Sequence, residues 1–328
     1  MTRIVLYPRP VPAVLEIGRA LLPTGYELDV VDAAELAAAL VDAEYLMGFV
    51  GPIPEAAWEA AKSLRLVQLM SAGYDDVQID EARAKRIPVS LNGGANAIGV
   101  AEHTVMLMLA VYKHLAQLDH EVRLGGWKSG RRQEARITEI GGKRVGLLGL
   151  GQIGRQVIKR LRGFDVELFY YDVRRLAPAE EASLGVTYLE LVDLIAGVDV
   201  LSLHLPLLPE TRGIIGAVSL ATMRPGSILI NTARGELVDE DALAAALRAG
   251  PLGGAGLDVL TQEPPPADHP LFSLNSVIIT PHIAGPTWES WPRRFANGYA
   301  NIARVARGER PEWVIPELRH LLTDWPTR

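Results

Sequence analysis

The chain has no cysteine, which excludes disulfides, thiolate metal sites and a cysteine nucleophile. No internal repeat stands out, and no apolar run approaches the ~20 residues of a membrane span. Histidines and acids do not fall at metal-ligand spacing, so no metal is expected. Ser71 lacks the strand–turn–helix setting of a nucleophile elbow. An excess of positive charge is also missing. The net charge is −6, which argues against nucleic acid or an anionic membrane as the main partner. The opening MTRIVLYPRP reads as a short strand cut by prolines rather than a signal peptide, so a cytoplasmic protein is expected.

What is present is an ordinary globular composition of 328 residues, 48% hydrophobic and 22% charged, enough for one large or two medium domains. Strand patterns at Ile4–Tyr7, Tyr26–Val31, Tyr45–Val50, Leu66–Met70 and Pro88–Leu91 alternate with helical patterns. That alternation predicts a parallel sheet covered on both faces over the first ~100 residues. One long helix is expected from Val100 to about Leu124, apolar all round at Val105–Val111 and therefore buried on several sides. Gly125-Gly126-Trp127 ends it, and Lys128–Arg144 reads as a polar, extended arm.

A second α/β unit opens at Val145-Gly-Leu-Leu-Gly149-Leu150-Gly151-Gln152-Ile153-Gly154. A buried-strand pattern runs into G-x-G-x-x-G and then into a helical pattern. A second strand, Val166–Tyr171, follows and ends in Asp172. Each part suits a dinucleotide. Gly149 allows the tight turn, Gly151 leaves room for a pyrophosphate and Gly154 lets the helix pack close. The free amides and positive end of the helix face the phosphates. Asp172 lies near the ~20-residue spacing expected of an acid that binds a ribose 2′-hydroxyl.

Further short buried strands at Val198–Leu203, Ser227–Asn231, Ala255–Val259 and Val277–Thr280 complete a doubly wound sheet. Ligands bind at the carboxyl ends of such strands. There the sequence places His204, then Asn231-Thr232-Ala233-Arg234-Gly235, then Asp258 with Glu263 beyond, then Pro281-His282. This set suits reduction of a 2-keto acid. An arginine binds carboxylate and carbonyl through a planar, permanently charged fork. A histidine gives the carbonyl oxygen its proton near neutral pH, and an adjacent carboxylate holds that histidine. Plainer readings stand beside these: Arg234 as a surface ion-pair partner, His282 as a buried structural histidine, Glu263 as a solvated loop acid, His204 as a packing residue. His103, His114, His120, His269 and His320 have no such setting and read as structural or surface residues.

Taken together, Ser71–Asp75, Val100–Thr104, Gly149–Gly154, His204–Arg212, Asn231–Gly235, Gly256–Glu263 and Pro281–Gly285 resemble the D-isomer-specific 2-hydroxyacid dehydrogenase family. The resemblance implies two doubly wound parallel-sheet α/β domains, a Rossmann cofactor domain inserted into a flavodoxin-like substrate domain. The boundaries would be 1–99 and 286–328 for the substrate domain and 100–285 for the NAD-binding domain. It implies that Arg234 binds the substrate carboxylate and polarises the carbonyl, that His282 is the acid/base and that Glu263 is its partner. Ala72 and Gly73 would offer backbone amides to the substrate. Thr104, Gln152, Ile153, Asp172, His204, Thr232, Ala233, Asp258 and Gly285 would line the cofactor site with the three glycines. The long helix would lie in a homodimer interface.

Details narrow this expectation. Formate dehydrogenases carry glutamine where Glu263 stands, and phosphite dehydrogenases carry a lysine in the loop matching Ser71–Tyr74. That loop also holds no arginine for a phosphorylated substrate, and no regulatory domain follows the core. Both points weigh against 3-phosphoglycerate, which stays as an alternative. The loop looks most like glyoxylate/hydroxypyruvate reductases. Trp288 and Trp291 depart from the family in following the His282 loop, and would make an aromatic pocket. NAD is favoured, but Arg174 and Arg175 after Asp172 suit a 2′-phosphate and leave NADP open. A rival of another class is a dinucleotide-sensing, co-repressor-like binding protein.

Overall fold

The computed structural model describes residues 1–127, 137–323 and 325. The chain divides into two compact units, Met1–Asn96 with Pro286–Arg328, and Ala97–Gly285.

The first unit holds β1 (Thr2–Leu6), β2 (Tyr26–Val30), β3 (Tyr45–Gly48), β4 (Leu66–Leu69) and β5 (Val89–Ser90). All pairings are parallel, in the order β2-β1-β3-β4-β5. This is the flavodoxin-like order. The period-two alternation of a strand sends Ile4, Leu6, Tyr45 and Met47 into one core layer and Val5, Leu46 and Val67 into the other. The first of these layers is closed by the C-terminal helix Ser290–Ala306 through Phe295, Tyr299, Ile302 and Val305. Pro292 and Gly298 interrupt the helical pattern of this segment in the sequence. Pro292 sits in the first turn, where its missing N–H has no helical partner to lose. Gly298 lies where a Cβ would stand 3.0 Å from Met47 Sδ. The segment after the helix runs back along β5, with Leu91 donating to Trp313 O and Ile315 to Val89 O, and so covers that sheet edge.

The second unit holds β6 (Arg144–Leu148), β7 (Glu167–Tyr171), β8 (Thr187–Tyr188), β9 (Val200–Leu203), β10 (Ile228–Asn231), β11 (Gly254–Leu257) and β12 (Val277–Ile279). Every pairing is parallel, in the order β12-β11-β10-β9-β6-β7-β8. The order reverses at β6, beside β9, which makes the carboxyl ends of those strands the topological switch point. The helix Ala97–Tyr112 packs on β11 at close range. A Cβ on Gly254 would lie 2.7 Å from Val111 Cγ1, and one on Gly256 2.9 Å from Leu107 Cβ. Glycine in a buried strand is therefore the result of that approach.

The single helix expected from Val100 to Leu124 is two helices, Ala97–Tyr112 and Leu115–Arg123. His114 breaks it with a left-handed backbone, φ 50°. The apolar run ends at Tyr112, and a polar Lys113-His114 pair gains nothing by continuing into the core. A left-handed histidine is uncommon and carries no sequence signal. Gly125, at φ 81°, closes the second helix, with Gly126 donating to Glu121 O. Of the expected arm Lys128–Arg144, residues 128–136 lie outside the described residues and Arg144 opens β6. Among the described residues no helix is long and apolar enough to cross a membrane.

Candidate active site

The glycine turn follows β6. Gly149 sits at φ 99°, donates to Tyr171 O and backs onto β9, so that a Cβ there would lie 2.6 Å from His204 O. Gly154 faces the turn, and its Cβ would lie 2.6 Å from Gly149 O. Both glycines are required by the fold itself. Gly151 is different. As N-cap of the helix Gln152–Leu161 it has φ −73°, and a Cβ added to it would meet nothing within 4 Å. A Cβ would project into the cradle at the helix N-terminus, so the cradle fits the phosphates of a dinucleotide. Gln152, exposed, and Ile153, half-buried, form the first turn beside it.

Asp172 ends β7 and ties the turn down, its Oδ2 accepting from Leu150 N (2.8 Å) and its Oδ1 from Arg174 N (3.1 Å). His204, at the end of β9, is held by its backbone N–H to Leu148 O and by Nε2 against Ser202 Oγ at 2.9 Å. The residue is half-buried, and burial lowers the ring's pKa to about 3, so the imidazole is neutral at working pH.

The loop after β10 is shaped by Asn231, which heads the Asn231–Gly235 set but carries no sequence signal for this role. Its Oδ1 accepts from Ala233 N (3.0 Å) and its Nδ2 donates to Arg234 O (2.7 Å). This Asx turn presents Thr232, Ala233 and Arg234 in order. Arg234 Nη1 also donates to Ala233 O. Thr232 Oγ1 lies 2.9 Å from Oγ1 of the buried Thr104, whose hydroxyl donates to Val100 O. Next to Arg234, a Cβ on Gly235 would lie 2.0 Å from Leu260 C. The glycine thus lets the Arg234 loop press directly on the loop that carries Glu263.

Asp258, only 2% exposed, follows β11 and grips the loop after β12. Its Oδ1 accepts from Thr280 Oγ1 (2.6 Å) and Ile283 N (3.0 Å), its Oδ2 accepts from Ala284 N (2.9 Å), and its carbonyl accepts from His282 N (2.7 Å). His103 Nε2 reaches Thr280 Oγ1 at 2.8 Å, so His103, read from sequence as structural or surface, belongs to this network. The grip holds His282 at φ 51°. There its Nδ1 lies 2.8 Å from Glu263 Oε2, while Glu263 Oε1 accepts from Leu260 N. Arginine loop, glutamate loop and histidine loop are thus adjoined by a glycine contact, a carboxylate–imidazole pair and a buried aspartate. Thr280 and His103 were missed because their roles depend on a partner far along the chain. Gly285 is the last residue of this unit.

In the first unit, Ala72 and Gly73 follow β4 in a turn closed by Ser71 Oγ donating to Gly73 O (2.7 Å). Trp291 packs edge-on against Phe49, with centroids 5.7 Å apart, and faces the Arg294 guanidinium at 5.3 Å. Trp288 is 62% exposed. Among the described residues no group of His, Cys, Asp or Glu is placed to hold a metal ion.

Comparison with known proteins follows the same lines. Residues 105–284 match the family described as D-isomer specific 2-hydroxyacid dehydrogenase, NAD binding domain. A glyoxylate reductase of Thermofilum pendens is 39% identical over 258 residues, 78% of this chain and 76% of that protein. A D-3-phosphoglycerate dehydrogenase of Mycobacterium leprae is 38% identical over 279 residues, 85% of this chain but 52% of the relative, so the chain spans about half its length. A solved NADPH-dependent glyoxylate/hydroxypyruvate reductase from Sinorhizobium meliloti superposes with TM-score 0.80 at 28% identity, covering 97% of this chain and 99% of that one. With its glycine turn, its paired parallel sheets and these matches, the chain belongs to the D-isomer specific 2-hydroxyacid dehydrogenase family, NAD-dependent oxidoreductases.

Proposed function

We propose that the protein is a cytoplasmic, homodimeric 2-keto acid reductase of the glyoxylate/hydroxypyruvate type, with the unit 286–328 plus the first ~100 residues as substrate domain and the glycine-turn unit as cofactor domain. The observation that carries the chemistry is the His282 Nδ1–Glu263 Oε2 contact at 2.8 Å. With Nδ1 held by the carboxylate, Nε2 is the nitrogen that exchanges a proton with substrate. Glu263 orients the ring through that contact. Arg234 binds the keto acid's carboxylate and draws charge onto the carbonyl oxygen. His282 then protonates that oxygen, and removes the same proton in the reverse direction. Bound NADH supplies the hydride. Asp172 receives the ribose, the amides beside Gly151, Gln152 and Ile153 receive the pyrophosphate, and Thr104, His204, Thr232, Ala233, Asp258 and Gly285 shape the remaining wall. Ala72 and Gly73 offer backbone amides to a carboxylate.

Exposed Ile98, Met106, Leu115, Val122, Leu124 and Trp127 on the helix pair and its end support the homodimer, since apolar side chains gathered on one segment mark an interface. Light scattering at the mass of one chain would remove that part of the reading.

The testing experiment follows NADH and NADPH oxidation by absorbance with glyoxylate, hydroxypyruvate, pyruvate, phenylpyruvate, a branched keto acid and 3-phosphohydroxypyruvate. Fast turnover of the two smallest is expected. Preference for the bulky acids would bring Trp288 and Trp291 into the pocket. Preference for the phosphorylated acid would favour the reading that the 38% identical phosphoglycerate dehydrogenase suggests. Tight NADH binding without turnover would favour a dinucleotide sensor. His282→Ala should lower the rate on the order of 10²–10⁴-fold, and a near-wild-type rate would overturn the mechanism. Reduction should weaken as pH rises and oxidation as pH falls, because reduction of the carbonyl takes up a proton and oxidation releases one.

A further inference from the structure

Arg174 and Arg175 follow the acid that ends β7, where arginines suit a 2′-phosphate. In the structure Arg175 is already engaged. Its Nε lies 3.0 Å from Glu181 Oε1 and its Nη2 3.4 Å from Oε2, a bidentate pairing. Its guanidinium also lies 4.9 Å from the centroid of the Tyr188 ring. Glu181, on the helix Pro178–Leu184, is itself fixed. The hydroxyl of Tyr170, on β7, donates to Glu181 Oε1 at 2.8 Å and accepts from Leu176 N at 2.9 Å. Hydrogen bonds from Arg175 first, and from Tyr170 second, hold the Glu181 carboxyl below its usual range. The lock is therefore anionic wherever the enzyme works. Arg155 on the glycine-turn helix pairs with the neighbouring Glu180, at 2.6 Å, and is likewise occupied.

We propose that Glu181 is a specificity-determining residue for the cofactor: it withholds Arg175 from the 2′-phosphate of NADP(H) and so keeps the site selective for NAD(H). The inference rests on the dinucleotide reading of the glycine turn. Asp172 alone disfavours a 2′-phosphate by like charge. An arginine could offset that. Three residues beyond Asp172, the Arg175 Cα can be no more than about 11 Å away along the chain. Its long side chain can span much of that distance, but its fork is bound to Glu181 and its face lies on Tyr188. Withdrawing the Glu181 charge frees the fork for a phosphate, the geometry that arginine recognises best.

The test uses the full chain with Glu181→Gln, Arg175→Ala and the double variant. NADH and NADPH affinities are read by quenching of tryptophan fluorescence, and the kcat/KM ratio for the two cofactors by absorbance. Glu181→Gln should tighten NADPH relative to NADH by about tenfold, the usual scale for one charge-assisted contact. The double variant should return to the wild-type ratio. Arg175→Ala alone should leave the ratio unchanged, because the wild-type arginine does not serve the phosphate. An unchanged ratio in Glu181→Gln, an equal loss for both cofactors, or a tenfold loss of NADPH in Arg175→Ala would each overturn the proposal. The last comparison stands even if the Glu181 variant does not fold. Failure of the wild-type chain to bind NADH would overturn the dinucleotide reading itself, whereas NADH binding with no turnover of any keto acid would spare the lock and remove only the reductase reading.

Discussion

Two aspartates close two strands of the second sheet, and they do different work. Asp258, after β11, is buried and spends both carboxylate oxygens on its own chain, on Thr280 Oγ1, Ile283 N and Ala284 N. Asp172, after β7, accepts among the described residues only the amides of Leu150 and Arg174 and remains partly exposed. Each carboxylate has about four lone-pair sites. Asp172 therefore has capacity left for a hydroxyl pair arriving from outside, while Asp258 is mostly used up by the loop that carries His282. The lesson is that an acid at a strand end is a binding residue only in so far as the fold has not already claimed it. What Asp258 fixes is the position of His282.

The largest expected effect lies on the buried side. Asp258→Ala leaves two amides and a hydroxyl without their acceptor, and should cost on the order of 3–5 kcal/mol of stability, a large share of a typical domain's total. Rate should fall with it, because the strained φ of His282 is no longer enforced. Urea unfolding and kcat check both. Stability within 1 kcal/mol of wild type and an intact rate would mean that the loop is held elsewhere, and the contrast between the two acids would collapse.

The glycine turn offers a sharper contrast on the exposed side. Gly149→Ala should cost about 2–3 kcal/mol, since it combines a left-handed backbone with a Cβ 2.6 Å from His204 O. Gly151→Ala has ordinary φ and open space, so thermal unfolding should barely move while the affinity for NADH drops about tenfold. If Gly151→Ala destabilised the fold and left binding intact, the cradle would not be a phosphate site.

Much of this was legible in the sequence, and the limits have physical causes. The strands declared themselves because both faces of each sheet are buried, which gives short, continuous apolar runs. The glycine turn was legible because its three glycines have local steric or ligand reasons. The placement of Arg234, Glu263 and His282 after their strands was legible because a parallel sheet sends every strand's carboxyl end to one edge. The break at His114 was hidden, since a left-handed histidine looks like any other. The helix Ser290–Ala306 was hidden behind Pro292 and Gly298, whose tolerance depends on a first turn and on Met47. The roles of Asn231 and His103 were hidden too. A turn-shaping amide and a hydrogen bond spanning 177 positions leave no periodic trace.

A smaller effect should come from acid. His204 is folded with its ring neutral and its pKa lowered to about 3, below the ordinary 6.5. A group of this sign contributes stability that is full above about 6.5 and lost as pH falls toward 3. By pH 5 the loss is at most about 2 kcal/mol. His204→Gln should therefore be less stable than wild type at pH 8 and close that gap as pH falls to 5. NADH affinity of the folded wild type should stay level over the same window as far as His204 is concerned, because the folded ring stays neutral until pH nears 3. Parallel pH profiles of stability for the two proteins would show that the ring is solvated.

The smallest structural effect should be Asp172→Asn, and here the two aspartates part most clearly. The asparagine keeps its carbonyl oxygen for Leu150 N, but its NH2 cannot accept from Arg174 N, so one exposed hydrogen bond and the charge assistance are lost, about 1 kcal/mol at a partly exposed position. The functional effect should be larger than the structural one. The KM for NADH should rise about tenfold with kcat nearly unchanged, since a carboxylate that accepts from ribose hydroxyls contributes uniform binding and takes no part in the bond-making step. The same substitution should favour NADPH modestly by removing a negative charge, and more strongly when Glu181→Gln has also released Arg175. Equal falls in kcat and kcat/KM for Asp172→Asn would instead place this acid with Asp258, as a residue whose main work is to hold its own chain.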